Sequence, residues 1–149
     1  MSSHALGVIR RSDPEPVECL LGLLMAAYGA WLAMPWTTWN LAPGGACDSG
    51  AFDILSAVWR YEIVQGSAFV LVGAGHVMSA FRQLDSRTRL VFAALAAGMW
   101  SITWVSFLLW RWQSSAVPVY GVHALSHAWL VARHLREIRA QRRLRRGHG

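Results

Sequence analysis

The chain has 149 residues, of which 54% are hydrophobic and only 15% are charged, and its formal net charge is +6. In soluble domains about a quarter of the residues are charged. The composition therefore argues against a soluble enzyme, a disulfide scaffold and a disordered protein, and it predicts a single membrane-embedded domain. All 14 basic residues are arginines. Half of them lie between Arg133 and Arg146, so the positive charge forms a tail rather than a surface for nucleic acid.

Four apolar segments are long enough to cross a bilayer, which takes about 20 residues of helix. They are residues 17–34, 63–81, 90–110 and 116–135. The first segment ends at Pro35, and its length exceeds the 7–15 apolar residues of a signal-peptide core, so we interpret it as a span. Each span must satisfy its own backbone hydrogen bonds and is predicted to be helical. The predicted fold is an all-α polytopic membrane protein with a four-helix transmembrane domain over residues 17–135.

The arginines predict the orientation of the spans. They cluster at the N-terminus, between the second and third spans and toward the C-terminus: Arg10, Arg11, Arg82, Arg87, Arg89 and the seven arginines from Arg133 to Arg146. By the positive-inside rule, the N-terminal segment 1–16, the middle loop and the tail 136–149 are cytoplasmic. The sequence therefore predicts a multi-pass protein of the bacterial inner membrane with both termini inside.

The predicted outer loop, residues 35–62, divides into two halves. The first half is rich in proline, glycine and asparagine, which indicates turns. In the second half, residues 51–61, apolar side chains recur at helical spacing and predict a short helix. This helix either lies in the membrane interface or extends the second span outward. We favour the extension, because no helix breaker separates Ala51 from Gly66.

Small residues recur in the spans at spacings that allow helices to pack closely. Three spans carry them at every fourth position: Gly22, Ala26 and Ala30; Ala93, Ala97 and Ser101; Ala124, Ala128 and Ala132. The second span contains Gly66, Gly73, Gly75 and Ser79. In lipid, such residues let helix backbones approach and associate by packing. The pattern predicts a tight bundle, a homo-oligomer or a subunit of a membrane complex, and does not distinguish contacts within the chain from contacts between chains.

Histidines are the most informative polar residues of the predicted spans. His123, His127 and His134 lie along one stripe of the fourth helix, and His76 lies in the second. The first reading makes them neutral residues hydrogen-bonded within the bundle. The second makes His76, His123 and His127, with Glu62, the lining of a hydrated, proton-sensitive cavity. In the third, His76 and His127 bind haem as a bis-histidine pair. Glu62 also fits a simpler role as an interfacial anchor.

The spans contain no enzyme motif. Gly73 and Gly75 follow no predicted strand and therefore do not form a phosphate loop. No zinc-type cysteine spacing and no pair of carboxylates within a span supports metal or hydrolase chemistry. We expect a protein with no catalytic residues, no metal site and no bound cofactor.

The arginine tail is predicted to continue the fourth helix into the cytoplasm. A polybasic segment beside a span attracts anionic lipid headgroups at about 1 kcal/mol per arginine. No aromatic residue is interleaved to stack on bases, so nucleic acid is not the expected partner. The expected headgroup anchors are Arg136, Arg139, Arg142, Arg143, Arg145 and Arg146.

Residues 28–37 (YGAWLAMPWT) resemble the end of the first span in small four-span membrane proteins of tailed bacteriophages and prophages. The glycine-containing second span, the short arginine-rich loop and residues 116–120 (AVPVY), which lead into the last span, are similar too. The resemblance implies a non-enzymatic inner-membrane protein that self-associates, with holin-like membrane permeabilisation as its activity. A small-molecule binding or transport module, or an accessory subunit, is the alternative, and a haem-binding redox subunit comes third.

Overall fold

The structure is a computed structural model that describes residues 16–34, 55, 57–58, 62–111 and 113–146. All the regular elements in these ranges are α-helices: α1 (Pro16–Leu32), α2 (Glu62–Phe81), α3 (Ser86–Arg111) and α4 (Ala116–Arg146). The predicted all-helical class is confirmed, and each predicted span coincides with one helix. Of the proposed helix 51–61, Leu55, Ala57 and Val58 are helical, and the other residues lie outside the described ranges.

Two helices are long and apolar enough to cross a membrane. They are α2, with 20 residues, and the segment Ser86–Leu109 of α3, with 24 residues. Helix α1 is apolar but shorter, at 17 residues. Helix α4 has 31 residues and continues through the arginine-rich segment without a break, because that segment contains no glycine or proline before Gly147.

The four helices run alternately up and down. Helix α1 lies antiparallel to α2, so that Gly22 lies against Gly73 and Gly29 against Gly66. Helix α3 lies antiparallel to α4, with Trp100 beside His123. Both pairs pack side by side along their length, and the two pairs face each other across the interior of the bundle.

Glycine brings α1 and α2 into backbone contact. A methyl group built at Gly73 would stand 2.6 Å from the backbone nitrogen of Ala26 and 2.7 Å from the carbonyl oxygen of Gly22. Within the chain, the α1 ladder takes part in this contact through Gly22 and Ala26 but not through Ala30. Gly29 lies in the contact, whereas Ala30 is exposed. A helix has 3.6 residues per turn, so positions spaced by four residues move gradually away from the face that is in contact.

The small-residue patterns of α3 and α4 take part only partly in the packing within the chain. Ala93 and Ala96 are completely buried, while Ala97 is half-buried. On α4, Ala124 is buried, whereas Ala128 and Ala132 are exposed. Large side chains fill this half of the bundle instead of a continuous ladder of small ones.

Aromatic rings fill the interior between the two helix pairs. The Tyr28 ring lies 5.2 Å from Phe69, 5.0 Å from Trp100 and 5.9 Å from Tyr120. Phe69 meets Trp100 edge to face at 5.0 Å. Each helix contributes one of these rings, and such pairs add about 0.5–1.5 kcal/mol beyond the area that they bury. The cluster fixes the relative position of the four helices.

The bundle carries large apolar side chains on its outside and several polar side chains in its interior, beside the apolar core. Large apolar side chains face outward on every helix, among them Leu20, Leu23, Ile63, Leu71, Leu109, Val122 and Leu125, with Leu71 72% exposed. Buried polar side chains face inward: Glu18, Glu62, Gln65, His76, Ser79, Thr103, Ser106, His127 and His134. Exposed apolar side chains in such number are typical of surfaces that contact a membrane or another protein.

The turn between α2 and α3 is closed by local hydrogen bonds. The Leu84 N–H donates to the Ser79 carbonyl at 3.0 Å, around Gln83 in the left-handed conformation with φ of 47°. This geometry ends α2 as a Schellman-type cap. Asp85 then caps α3, since its Oδ1 accepts from the Thr88 hydroxyl at 2.6 Å and its Oδ2 from the Arg87 N–H at 3.2 Å.

Candidate functional site: a buried column of polar side chains

A charged cluster lies at the end of the bundle where α1 begins and α2 meets α3. Glu18, in the first turn of α1, has a completely buried side chain. Arg89 of α3 donates from Nε to Glu18 Oε2 at 2.9 Å, and its Nη2 contacts the same oxygen. His134 of α4 places Nε2 3.0 Å from Glu18 Oε1. One carboxylate thus joins three helices.

The cluster continues toward the surface through Glu137. His134 Nδ1 lies 3.3 Å from Glu137 Oε2, which also accepts from the Ser86 hydroxyl at 3.2 Å. Arg133 donates from Nε to the other carboxylate oxygen at 3.2 Å. Both ring nitrogens of His134 therefore lie close to a carboxylate oxygen, Nε2 to Glu18 and Nδ1 to Glu137. We call Glu18, Arg89, His134 and Glu137 the charged cluster.

A histidine pair lies deeper in the bundle. The rings of His76 on α2 and His127 on α4 have centroids 5.6 Å apart, with an angle of 67° between their planes. Both side chains are completely buried. His127 Nδ1 lies 2.8 Å from the His123 carbonyl oxygen, which can only accept, so Nδ1 carries the proton and Nε2 the lone pair.

Three nitrogens of this pair have no hydrogen-bond partner among the described residues. They are Nδ1 and Nε2 of His76 and Nε2 of His127. An unsatisfied buried polar group costs about 1–3 kcal/mol, and in folded proteins such groups commonly mark an ordered water or ion. The structure thus places His76 and His127 side by side and leaves three of their four ring nitrogens without a hydrogen-bond partner among the described residues.

The other two predicted lining residues lie elsewhere. His123 is half-buried and stacks on Trp100, with ring centroids 4.6 Å apart and planes 16° apart. Glu62 is buried in the first turn of α2. It precedes His76 by 14 residues, which is about 21 Å along a helix. Glu62 therefore belongs to the opposite end of the bundle, and the structure does not bring it to the histidine pair.

Bis-histidine haem ligation does not fit the histidine pair. With bonds of about 2.0 Å from the metal to each nitrogen, imidazoles on opposite sides of one iron would have centroids about 6.3 Å apart. The observed separation of 5.6 Å is shorter. In addition, Gly75, next to His76, is packed against the Phe92 ring, so the space that a porphyrin ring would occupy beside His76 is filled. Among the described residues, no group of three His, Cys, Asp or Glu side chains converges on one point.

Sequence reasoning assigned no role to Glu18 and used Arg89 only for orientation. A signal for Glu18 was available, because a carboxylate inside an apolar span is a functional candidate by default. Its partner was not readable, since Arg89 lies 71 residues further along the chain. The stripe of histidines on α4 contains members of both groups: His134 belongs to the charged cluster, and His127 belongs to the histidine pair.

The arginines of the α4 extension lie outside this column. Arg136, Arg139, Arg142 and Arg143 are exposed. Arg145 and Arg146 belong to the last helical turn. Arg136, Arg139 and Arg143 lie at i, i+3 and i+7 and line one surface pocket, so the extension concentrates positive charge on one face of the helix.

Comparisons with protein-family models, with curated proteins and with solved structures find no match. The resemblance to phage and prophage membrane proteins stays a prediction from the sequence. Function is therefore inferred from the charged cluster and the histidine pair.

Proposed function

We propose that the chain is a four-span protein of the bacterial inner membrane and acts as a non-enzymatic module that binds or transports a small cation. One observation carries this proposal: a column of ionisable side chains, Glu18, His134, His127 and His76, is buried inside a bundle with apolar side chains on its outside, and Arg89 pairs with Glu18 at one end of the column. Ionisable groups inside a membrane domain are costly and typically mark ion or substrate pathways.

The proposed membrane frame places the two parts of the column at different depths. With both termini in the cytoplasm, the charged cluster lies at the cytoplasmic boundary, where Arg89 retains 16% side-chain exposure. His127 precedes His134 by seven residues, which is about 10 Å along α4. The histidine pair then lies inside the hydrocarbon region, and the cluster lies between it and the cytoplasm.

The chemistry of the column favours a cation. Its open groups are the unpartnered imidazole nitrogens, at least one of which is a lone-pair donor. The carboxylates of Glu18 and Glu137, which are paired with Arg89 and Arg133, add oxygen atoms that can bind a cation along the path to the surface. An anion would need an uncompensated positive charge, whereas Arg89 and Arg133, which lie beside the column, are each paired with a carboxylate.

The test is cation-dependent stabilisation of the full chain, purified in detergent with a histidine-free tag. Thermal unfolding is followed at several concentrations of Na⁺, K⁺, Mg²⁺, Zn²⁺ and Cu⁺, and over a range of pH. A ligand that binds only the folded state raises Tm as its concentration rises. We expect at least one cation to do so, and the shift to be lost in His127→Asn and kept in Gln141→Ala, an exposed position on α4. The absence of any specific shift would overturn the proposal.

The α4 extension is proposed as an anchor to anionic lipid. Its exposed arginines, Arg136, Arg139, Arg142 and Arg143, lie beyond the cytoplasmic end of the proposed bundle. Such residues contribute about 1 kcal/mol each to binding an anionic surface. Replacing all four with Gln should reduce the amount of phosphatidylglycerol that co-purifies with the protein.

A second candidate function is self-association, as in a holin-like permeabiliser of phage or prophage origin. One observation favours it: Gly98 and Ala94 are exposed on the outer face of α3, and a methyl group built at Gly98 meets nothing within 4 Å. A small-xxx-small spacing lets two membrane helices approach closely. Cross-linking in native membranes should detect a dimer that Gly98→Ile abolishes, and unchanged cross-linking would remove this candidate.

A further inference from the structure

The histidine pair is the least satisfied part of the interior. Three buried ring nitrogens of the neighbouring side chains His76 and His127 have no hydrogen-bond partner among the described residues. We propose that His76 and His127 are the ligands of a metal-ion site for a d¹⁰ cation, Cu⁺ or Zn²⁺. This inference rests on the proposed cation-binding function and names the ion class and its ligands.

The separation of the rings matches a shared metal ion. A metal–nitrogen bond of about 2.0–2.1 Å places the centroids of two imidazoles about 5 Å apart at a tetrahedral angle and about 6.3 Å apart in a linear arrangement. The observed 5.6 Å lies between these limits. The side chains come from α2 and α4, which belong to different helix pairs, so the ion would join the two halves of the bundle.

His127 already has the tautomer that a ligand needs. Its Nδ1–H donates to the His123 carbonyl at 2.8 Å, and this leaves the lone pair on Nε2, which is buried and open. Metal-binding histidines commonly donate their second nitrogen to a backbone carbonyl in this way, which fixes the ring and its basicity. His76 has both nitrogens open, so either can serve as the second donor.

The donor set selects the class of ion. Imidazole suits copper and zinc, whereas Mg²⁺ and Ca²⁺ require oxygen ligands. A centroid separation of 5.6 Å corresponds to a bent nitrogen–metal–nitrogen angle of about 125° with metal–nitrogen bonds of about 2.0 Å. Cu⁺ would therefore need one water as a third ligand, and Zn²⁺, which takes four ligands, would need two. The nearest carboxylate, Glu18, is already paired with Arg89, so the ion's charge is poorly compensated in the interior. A monovalent ion costs less to desolvate than a divalent one, and Cu⁺ is therefore the better match.

The binding test uses the full chain in a background free of competing ligands. Cys19 and Cys47 are replaced with Ser, and His4 and His148 with Asn, so that thiols and terminal imidazoles do not contribute. Cu⁺ is supplied anaerobically with ascorbate, and Zn²⁺ is supplied in a parallel experiment. In each experiment the protein competes with a colorimetric chelator for the metal ion. We expect one equivalent of Cu⁺ per chain, with affinity reduced at least tenfold by His76→Asn or His127→Asn. His123→Asn, one turn away on α4, is the matched control and should retain the ion.

Two measurements keep the result interpretable. Circular dichroism and size-exclusion profiles establish that each variant is folded before its affinity is compared. X-ray absorption at the bound metal should show two imidazole nitrogens as nearest ligands, and sulfur ligands would overturn the assignment. No stoichiometric retention of either metal, or equal retention by the His76→Asn/His127→Asn double variant, would also overturn it. Stabilisation by Na⁺ or by protons, without retention of Cu⁺ or Zn²⁺, would remove this inference and leave the cation-binding function standing.

Discussion

Gly29 and Gly66 bring two helix backbones into direct contact. A methyl group at Gly29 would stand 2.6 Å from the Gly66 carbonyl oxygen, and one at Gly66 would stand 2.7 Å from the Gly29 carbonyl oxygen. The same relationship recurs seven residues away on each helix, between Gly22 and Gly73. Two helical turns separate the contacts, so α1 and α2 touch along one continuous face.

Gly29→Ala should destabilise the fold. The added methyl group meets backbone atoms that have no room to move, and overpacking of this kind costs about 1–3 kcal/mol. The measurement is the free energy of unfolding in detergent micelles, followed by circular dichroism. Both α1 and α2 should lose their packing, because the contact is shared between them.

Gly98→Ala is the matched control. It makes the same chemical change within a helix, where a Cβ atom has open space. Alanine is favoured over glycine in a helix by up to about 1 kcal/mol, so this variant should be neutral or more stable. Equal destabilisation by the two substitutions would show that backbone contact is not what glycine provides at Gly29.

The Glu18–Arg89 pair should be strongly coupled. Arg89→Leu leaves a completely buried carboxylate without its main counter-charge, and breaking one partner of a buried pair costs about 3–5 kcal/mol. Glu18→Leu/Arg89→Leu removes both charges and should recover part of that loss. A double-mutant cycle on unfolding free energies measures the coupling.

Arg87→Leu serves as the control for this cycle. Arg87 is exposed and lies on the same turn of α3, so its replacement changes net charge equally without touching the carboxylate of Glu18. It should shift stability by no more than about 0.5 kcal/mol. If the effects of Glu18→Leu and Arg89→Leu simply add, the pair does not hold the helices together.

The helices were predictable because the sequence marks them locally. Pro35 bounds the first apolar run, Asp85 precedes α3, and a long segment free of glycine and proline carries α4 to Arg146. Such signals depend on neighbours within a few residues. The limits of all four helices could therefore be predicted to within a few positions, whereas the α1 contact shifted from Ala30 to Gly29.

The site was only partly predictable because its contacts are distant in sequence. The histidine stripe of α4 indicated one inward face, and His76 could be paired with His127 by depth. The meeting of Glu18 with Arg89 and His134 depends on how three helices rotate against each other. That Glu62 lies far from His76 could have been predicted from the sequence alone, since 14 residues of helix span about 21 Å.

The cap of α3 should lose its contribution in acid. The Thr88 hydroxyl, followed by backbone N–H groups, holds the pKa of Asp85 below its usual range. A carboxylate with a lowered pKa in the folded state stabilises the fold above its unfolded pKa of about 3.9, and loses this effect as pH falls through the folded value. Asp85→Asn retains a capping oxygen without the charge change. The Tm advantage of the wild type over Asp85→Asn should therefore shrink below about pH 4.

Comparison of these two proteins isolates Asp85, since Glu18 and Glu137 are present in both. Asp85→Ala, which has no capping oxygen, should be less stable than either protein at pH 7. A constant difference between wild type and Asp85→Asn from pH 7 to pH 3 would contradict the prediction.

The proposed orientation can be tested on the full-length chain with its own cysteines. Cys47 falls in the predicted outer loop, so a Cys19→Ser chain should react with a membrane-impermeant maleimide in intact spheroplasts.

Two further probes, Leu84→Cys in the turn between α2 and α3 and Gly147→Cys at the end of the tail, are made in a chain lacking both native cysteines. They should react only after permeabilisation, because the positive-inside rule retains arginine-rich segments in the cytoplasm. Leu84 is exposed, so a lack of labelling before permeabilisation reflects the membrane rather than burial. If Leu84→Cys is labelled from outside while Gly147→Cys is protected, α2 and α3 do not both cross the membrane as proposed, and the charged cluster no longer lies at the cytoplasmic boundary.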